Sequence, residues 1–244
     1  MYVEHPIFKK PENEEIKIWK YMDFTKFVSM LDNNSLFFTR SDKFEDPFEG
    51  TYSKANQILR PTIYKDSGIN EEVFRQIDEF SKRLRQHILI SCWHMNDHES
   101  AAMWKLYLQS YEGIAIQSTY YRFCKSFHDA NENIYIGKVD YVDYDSDWIP
   151  EGNAFSPFLF KRKSFEHERE IRAIIDDSNI NNESRKLPQF EIGTNINVDL
   201  NILIENVYVA PTSPKWFKDL ASSLLRKYEL NRDVIQSTLY QSPY

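Results

Sequence analysis

Apolar positions return at helical spacing in Phe24, Phe27, Val28 and Leu31, behind an Asp23 able to cap and ahead of an Asn33-Asn34 stop, which predicts a helix. A short strand from Leu36 to Arg40 follows. Asn70 is placed to cap a second helix with the stripe Val73, Ile77, Phe80 and Leu84, and "HILISCW" (87–93) reads as a buried strand. A polar turn, "HMNDHES" (94–100), leads to a short helix, "AAMWKLYL" (101–108). Strands are predicted at "GIAIQS" (113–118), along the longer alternating "NIYIGKVDYVDY" (133–144), and at "NILIENVYVAP" (201–211). Ser213 and Pro214 suit the start of a helix with Phe217, Leu220, Leu224 and Tyr228 inward, and "VIQSTL" (234–239) closes the sheet. Several strands run consecutively and helices alternate with them only loosely. The expected fold is therefore α+β, with a mixed, mainly antiparallel sheet, continuous or split, flanked by helices.

One segment strains against its own pattern. "SFEHEREIRAII" (164–175) reads as a half-buried strand, with Phe165, Ile171, Ala173 and Ile175 on one face and Glu166, Glu168, Glu170 and Arg172 on the other. Like charges so spaced repel, so either water screens them or a nearby cation or substrate balances them. Lys161, Arg162 and Lys163 precede them, and a screened surface of weak ion pairs is the plain reading. The functional reading is a Glu-x-Glu pair, Glu168 and Glu170, directed into a cleft with Arg172 tuning their charge or holding an anion. Paired carboxylates perform acid/base work or stabilise a sugar cation.

Composition narrows the setting. The 244 residues are 41% hydrophobic and 15% aromatic, enough for a substantial core in a single domain over 1–244. A net charge of −7 argues against a broad nucleic-acid surface. No apolar window is long enough to span a bilayer, the first residues lack the apolar centre of a signal peptide, and the chain reads as cytoplasmic. Its 2 cysteines, Cys92 and Cys124, have no metal or disulfide spacing.

Other candidates lie in two stretches. In "LFFTRSDKFEDPFEG", Arg40 sits among Asp42, Asp46 and Glu49, an arrangement that either locks a loop or orients a polar ligand. In "SCWHMNDHESAAMWKLY", Cys92, His94 and His98 are poorly spaced for zinc or a cysteine nucleophile. Trp93, Trp104 and Tyr107 suit core or cleft wall, where two Trp could also take a flat ring such as nicotinamide or adenine. Phosphate-loop, nucleophile-elbow and HExxH signals do not occur.

"WKYMDFTKFVSMLDNNSLFFTRSDKFEDPFEG", "SCWHMNDHESAAMWKLY", "GIAIQS" and "KRKSFEHEREIRAII", in that order, resemble the bacterial family of unknown function numbered 2971 over nearly the whole chain. An aromatic-basic first strand followed by a short helix, with a late Glu-x-Glu strand, also resembles the ADP-ribosyltransferases. That resemblance implies an enzyme of a bacterial defence or toxin type that cleaves the nicotinamide–ribose bond of NAD and modifies a nucleic-acid or protein acceptor. By position it implies Lys20 or Tyr21 and Ser91 as NAD-holding residues, Glu170 as the carboxylate that stabilises the ribosyl cation, and Glu168 as an orienter of the acceptor. Two alternatives stand beside it: a metal-dependent nuclease or phosphodiesterase using Asp42, Asp46, Glu49 and the 94–99 turn, and a non-enzymatic ligand-sensing module.

Overall fold

The computed structural model describes residues 1–107, 111–178 and 189–243. Its elements are β1 (Lys17–Asp23), α1 (Phe24–Asn33), β2 (Ser35–Arg40), α2 (Lys54–Ile63), α3 (Glu71–Leu84), β3 (Ile88–Met95), α4 (Ala101–Tyr107), β4 (Gly113–Thr119) and α5 (Tyr120–Lys125). They continue with β5 (Tyr135–Lys138), β6 (Asp140–Val142), β7 (Phe160–Arg162), β8 (Glu170–Asp176), β9 (Gly193–Asn197), α6 (Leu200–Leu203), β10 (Asn206–Val209), α7 (Lys215–Lys227) and β11 (Val234–Gln236). The fold is the expected α+β. Among the described residues nine strands form one sheet, antiparallel except where the edge strand β11 joins β10, and β6 and β7 form a parallel pair apart from it.

Local chemistry explains the helices that sequence foresaw. The Asp23 carboxylate accepts from Lys26 N, and Asn34 closes α1 in the left-handed region at φ 46. Asn70 caps α3 in the same way. Other expectations are corrected. Residues 133–144 are not one strand: Val139 N donates to Glu170 O and Asp140 N to Leu159 O, so the chain leaves β8 for β7 and divides into β5 and β6. In 201–211 the first three residues are helical, because the Asp199 side chain caps α6, and the strand is confined to Asn206–Val209. Ser213 caps nothing, since its hydroxyl donates to the Tyr111 carbonyl at 2.6 Å. His94 and Met95 belong to β3 rather than to a turn, and Leu108 lies outside the described residues.

The two faces of the sheet differ. One is dry: Ile18, Leu89, Trp93, Ile116, Ile171 and Ala173 pack under Phe27 and Leu31 of α1, Phe123 of α5, Leu203 of α6 and Phe217 of α7. Each fully buried side chain of this kind contributes about 1.5–3 kcal/mol. The other face carries two smaller apolar clusters, one around Ile88, Ile90, Ile174 and Phe158, and one around Trp19, Tyr21, Met103 and Trp104. Between them the register sets Cys92 beside Arg172 and His94 beside Glu170. No helix among the described residues is long and apolar enough to cross a membrane.

Candidate active site

The sheet splits at β3. On one edge β3 is paired throughout with β8, from Ile88↔Asp176 to His94↔Glu170. On the other edge two strands share it: β1 at Trp19↔His94 and Ile18↔Met95, and β2 at Thr39↔Ile90 and Arg40↔Leu89. Ser91, Cys92 and Trp93 have no ladder partner there among the described residues. Lys20 reaches across from β1 instead, its Nζ donating to Ser91 Oγ at 3.2 Å and to the Cys92 carbonyl at 3.1 Å. Neighbouring strands normally satisfy such backbone groups, and here an amine does so beside open space.

That space is a cleft of about 500 Å³, lined by Trp19, Lys20, Tyr21, Met30, Phe37, Ser91, Trp93, His94, Tyr107, Glu168 and Glu170 among others. Because it cuts through the split, it draws on both faces. Lys20, Ser91 and Trp93 come from the helix-covered side, while Tyr21, His94 and Glu170 come from the other. Lys20 is half-buried, with no carboxylate bonded to it among the described residues, and desolvation lowers its pKa to about 8. Its Nζ lies 5.7 Å from the centre of the Trp93 ring.

Behind one wall runs a chain of alternating charges, of which Glu168 and Glu170 face the cleft. The Glu49 carboxylate grips both ends of the Arg172 guanidinium, at 2.7 and 2.8 Å. Arg172 Nε donates to Glu170 Oε2 at 2.6 Å, and Lys161 Nζ donates to Glu170 Oε1 at 2.6 Å. Lys161 also donates to Glu168. Three carboxylates meet two cations, so the chain is one negative charge over balance if every acid ionises. The protein resolves this unequally. Burial raises Glu168, the adjoining Glu170 charge adds to it, and its pKa reaches about 8. Burial would raise Glu170 too, but the Arg172 and Lys161 charges outweigh it and hold Glu170 well below the usual carboxylate range. Glu170 is thus held as the anion at the cleft, and proton affinity is raised at Glu168 beside it.

Backbone geometry sets the pair apart. The expected strand over 164–175 is corrected: residues Lys163–Glu168 form a 3-10 turn, and Arg169 at φ 42 ends it before β8 begins. Glu166 is therefore not on the carboxylate face, and Glu168 meets Glu170 across a tight reversal rather than along a strand. Tyr141 accepts from Glu170 N at 2.9 Å. His94 Nδ1 lies 2.6 Å from the Glu168 carbonyl, which can only accept, so Nδ1 carries the hydrogen and Nε2 keeps its lone pair. Burial lowers the pKa of His94, favouring that neutral ring.

Of the residues that sequence singled out, Lys20, Tyr21, Ser91, Trp93, Glu168 and Glu170 line the cleft together. Arg172 does not reach it, since it is fully buried behind Glu170. Arg40 is also absent from the lining. Its guanidinium is held by Asp42 at 2.9 and 2.7 Å and by the Phe190 carbonyl at 2.7 Å, the loop-locking role. The acidic loop does not gather around a cation site either. Asp42 pairs with Arg40, Asp46 with Arg162 at 2.8 Å and Glu49 with Arg172, three different partners. No cluster of three or more His, Cys, Asp or Glu suited to a metal occurs among the described residues. Sequence reading missed Lys161, taken as surface charge but 8% exposed, and with it Tyr141, the fixed tautomer of His94 and the pairing of Glu49, itself a candidate, with Arg172.

Fold and site together define a split-sheet α+β protein with a carboxylate held charged at the wall of an amphipathic cleft. No family model matches the chain, and no curated protein matches it; membership of the family numbered 2971 remains an expectation from the motifs quoted above. Among solved structures the chain is similar to Thermus sp. 2.9 DarT in complex with NAD+, with a TM-score of 0.44 and 7% identity, over 94% of this chain and 98% of that one.

Proposed function

We propose that the cleft binds NAD and that the protein is an ADP-ribosyltransferase-like enzyme, cleaving the nicotinamide–ribose bond and passing ADP-ribose to a nucleic-acid or protein acceptor. The observation that carries this reading is the Glu170 carboxylate, kept ionised by Arg172 and Lys161 where the split sheet opens. When the glycosidic bond breaks, nicotinamide leaves with the bonding electron pair and positive charge develops on the ribose. A fixed anion at the cleft wall stabilises that charge with little reorganisation. Each carboxylate oxygen retains accepting capacity beyond its ion pair, so a ribose hydroxyl can also donate to Glu170. Lys20, a half-buried amine with no anionic partner among the described residues, suits a phosphate oxygen, and Trp93, Tyr21 and Tyr107 offer flat apolar walls to the rings. The acceptor attacks the ribose carbon and releases a proton as the new bond forms.

One observation favours a second reading, a ligand-sensing module without turnover: both Glu170 oxygens are already engaged by cations of the protein. Nicotinamide release from NAD, measured with and without nucleic-acid and protein extracts, separates the two. Release above the uncatalysed rate supports transfer or hydrolysis. NAD binding with no release under any of these conditions overturns the enzymatic reading.

A further inference from the structure

We propose that Glu49 is a positioning residue for Glu170, acting through Arg172 from a position outside the cleft lining; the inference rests on the NAD reaction proposed above. Arg172 makes four hydrogen bonds, and only the one from Nε reaches Glu170. The other three fix the guanidinium: Nη1 to Glu49 Oε1 at 2.7 Å, Nη2 to Glu49 Oε2 at 2.8 Å, and Nη1 to the Phe158 carbonyl at 2.7 Å. A two-pronged grip of this kind sets the plane of the guanidinium and hence the line of its Nε–H. That line sets where Glu170 Oε2 rests. Without Glu49, the fork can rotate toward Glu170 or away from it, and the anion at the cleft moves with it.

The loop bearing Glu49 is built to hold still. Gly50 has φ +65, and a Cβ there would collide with Cε1 of Phe158, so the backbone packs closely against that ring. Phe158 is the residue whose carbonyl takes Arg172, so one contact aligns both acceptors of the guanidinium. Glu49 N donates to the Asp46 carbonyl at 3.1 Å, and the Asp46 side chain is tied to Arg162 at 2.8 Å. Glu49 is 2% exposed and is not among the cleft-lining residues. It can therefore alter turnover only through what it holds.

The test is steady-state nicotinamide release by wild type, Glu49→Gln and Glu49→Asp, with folding followed by circular dichroism. Glu49→Gln is expected to lower kcat on the order of ten- to a hundredfold, as sub-ångström to ångström misplacement of a reacting group does, with KM for NAD within about twofold of wild type. Glu49→Asp, which keeps the charge on a shorter stem, is expected to lie between the two. A folded Glu49→Gln with wild-type kcat overturns the role, as does a loss confined to KM. Should Glu49→Gln not fold, Glu49→Asp decides: a lowered kcat at unchanged KM supports the role, and wild-type kcat overturns it. A wild type that releases no nicotinamide overturns the reaction itself and this role with it, whereas an active wild type beside a fully active Glu49→Gln overturns this role alone.

Discussion

Two arginines of this protein are buried between carboxylates, and they do different things. Arg60 joins Glu151 and Asp78 at 2.7 Å each, under the rings of Tyr52 and Phe74, and so ties α2, α3 and the 148–151 loop together. Arg172 joins Glu49 and Glu170 with similar distances. The surplus charge separates them. At Arg60 it falls on Asp78, which is 39% exposed and shares it with water. At Arg172 it falls on Glu168, only 14% exposed and at the wall of the cleft, where it is met by a raised proton affinity instead. A buried ion cluster is thus a fastening unless one of its acids faces a space that a ligand can fill.

Breaking each cluster sharpens the contrast. Replacing the cation of a buried group leaves carboxylates unpaired, at a cost of about 3–5 kcal/mol. Arg60→Met and Arg172→Met should both lose that order of stability in denaturant titrations. Only Arg172→Met should also lose kcat per folded molecule, by tenfold or more on the order expected when a charge-stabilising contact is removed. Equal kcat in the two variants would remove the distinction.

A smaller effect is expected from Glu168. Its folded pKa, about 8, lies above its ordinary 4.5, so the folded chain binds a proton that the unfolded chain has lost in this window. Stability from this group is full below about pH 4.5 and declines as pH rises through about 8. Glu168→Gln cannot titrate, and its unfolding free energy should run flatter over that range than that of wild type. Parallel curves would mean Glu168 is ionised throughout. Smallest of all should be the response to a chelator: with Asp42, Asp46 and Glu49 each held by a different arginine, nicotinamide release should change by less than about twofold. A large loss would restore the metal-dependent alternative.

Much of this was legible from neighbouring residues alone. Asp23, the α1 stripe and Asn34 specify one helix by local bonding, and β3 and β4 are apolar runs that only a buried strand suits. Glu170 and Arg172 on one strand face were legible too, because alternation is local. The rest depends on distant pairs. The alternation over 164–175 continues through a turn that Arg169 makes by adopting φ 42, so Glu166 and Glu168 seemed to share a strand. Lys161 looked solvated beside Arg162 and Lys163, and its burial follows from β7 packing at the site. Glu49 and Arg172 are 123 positions apart, and no spacing rule connects them.

The most direct measurement is NAD binding by calorimetry alongside nicotinamide release for wild type and Glu170→Gln. The account predicts that Glu170→Gln binds NAD within a few-fold of wild type while release falls on the order of 10²–10³-fold, the scale set by losing a preorganised charge at the reacting centre. Undiminished release by Glu170→Gln would contradict it.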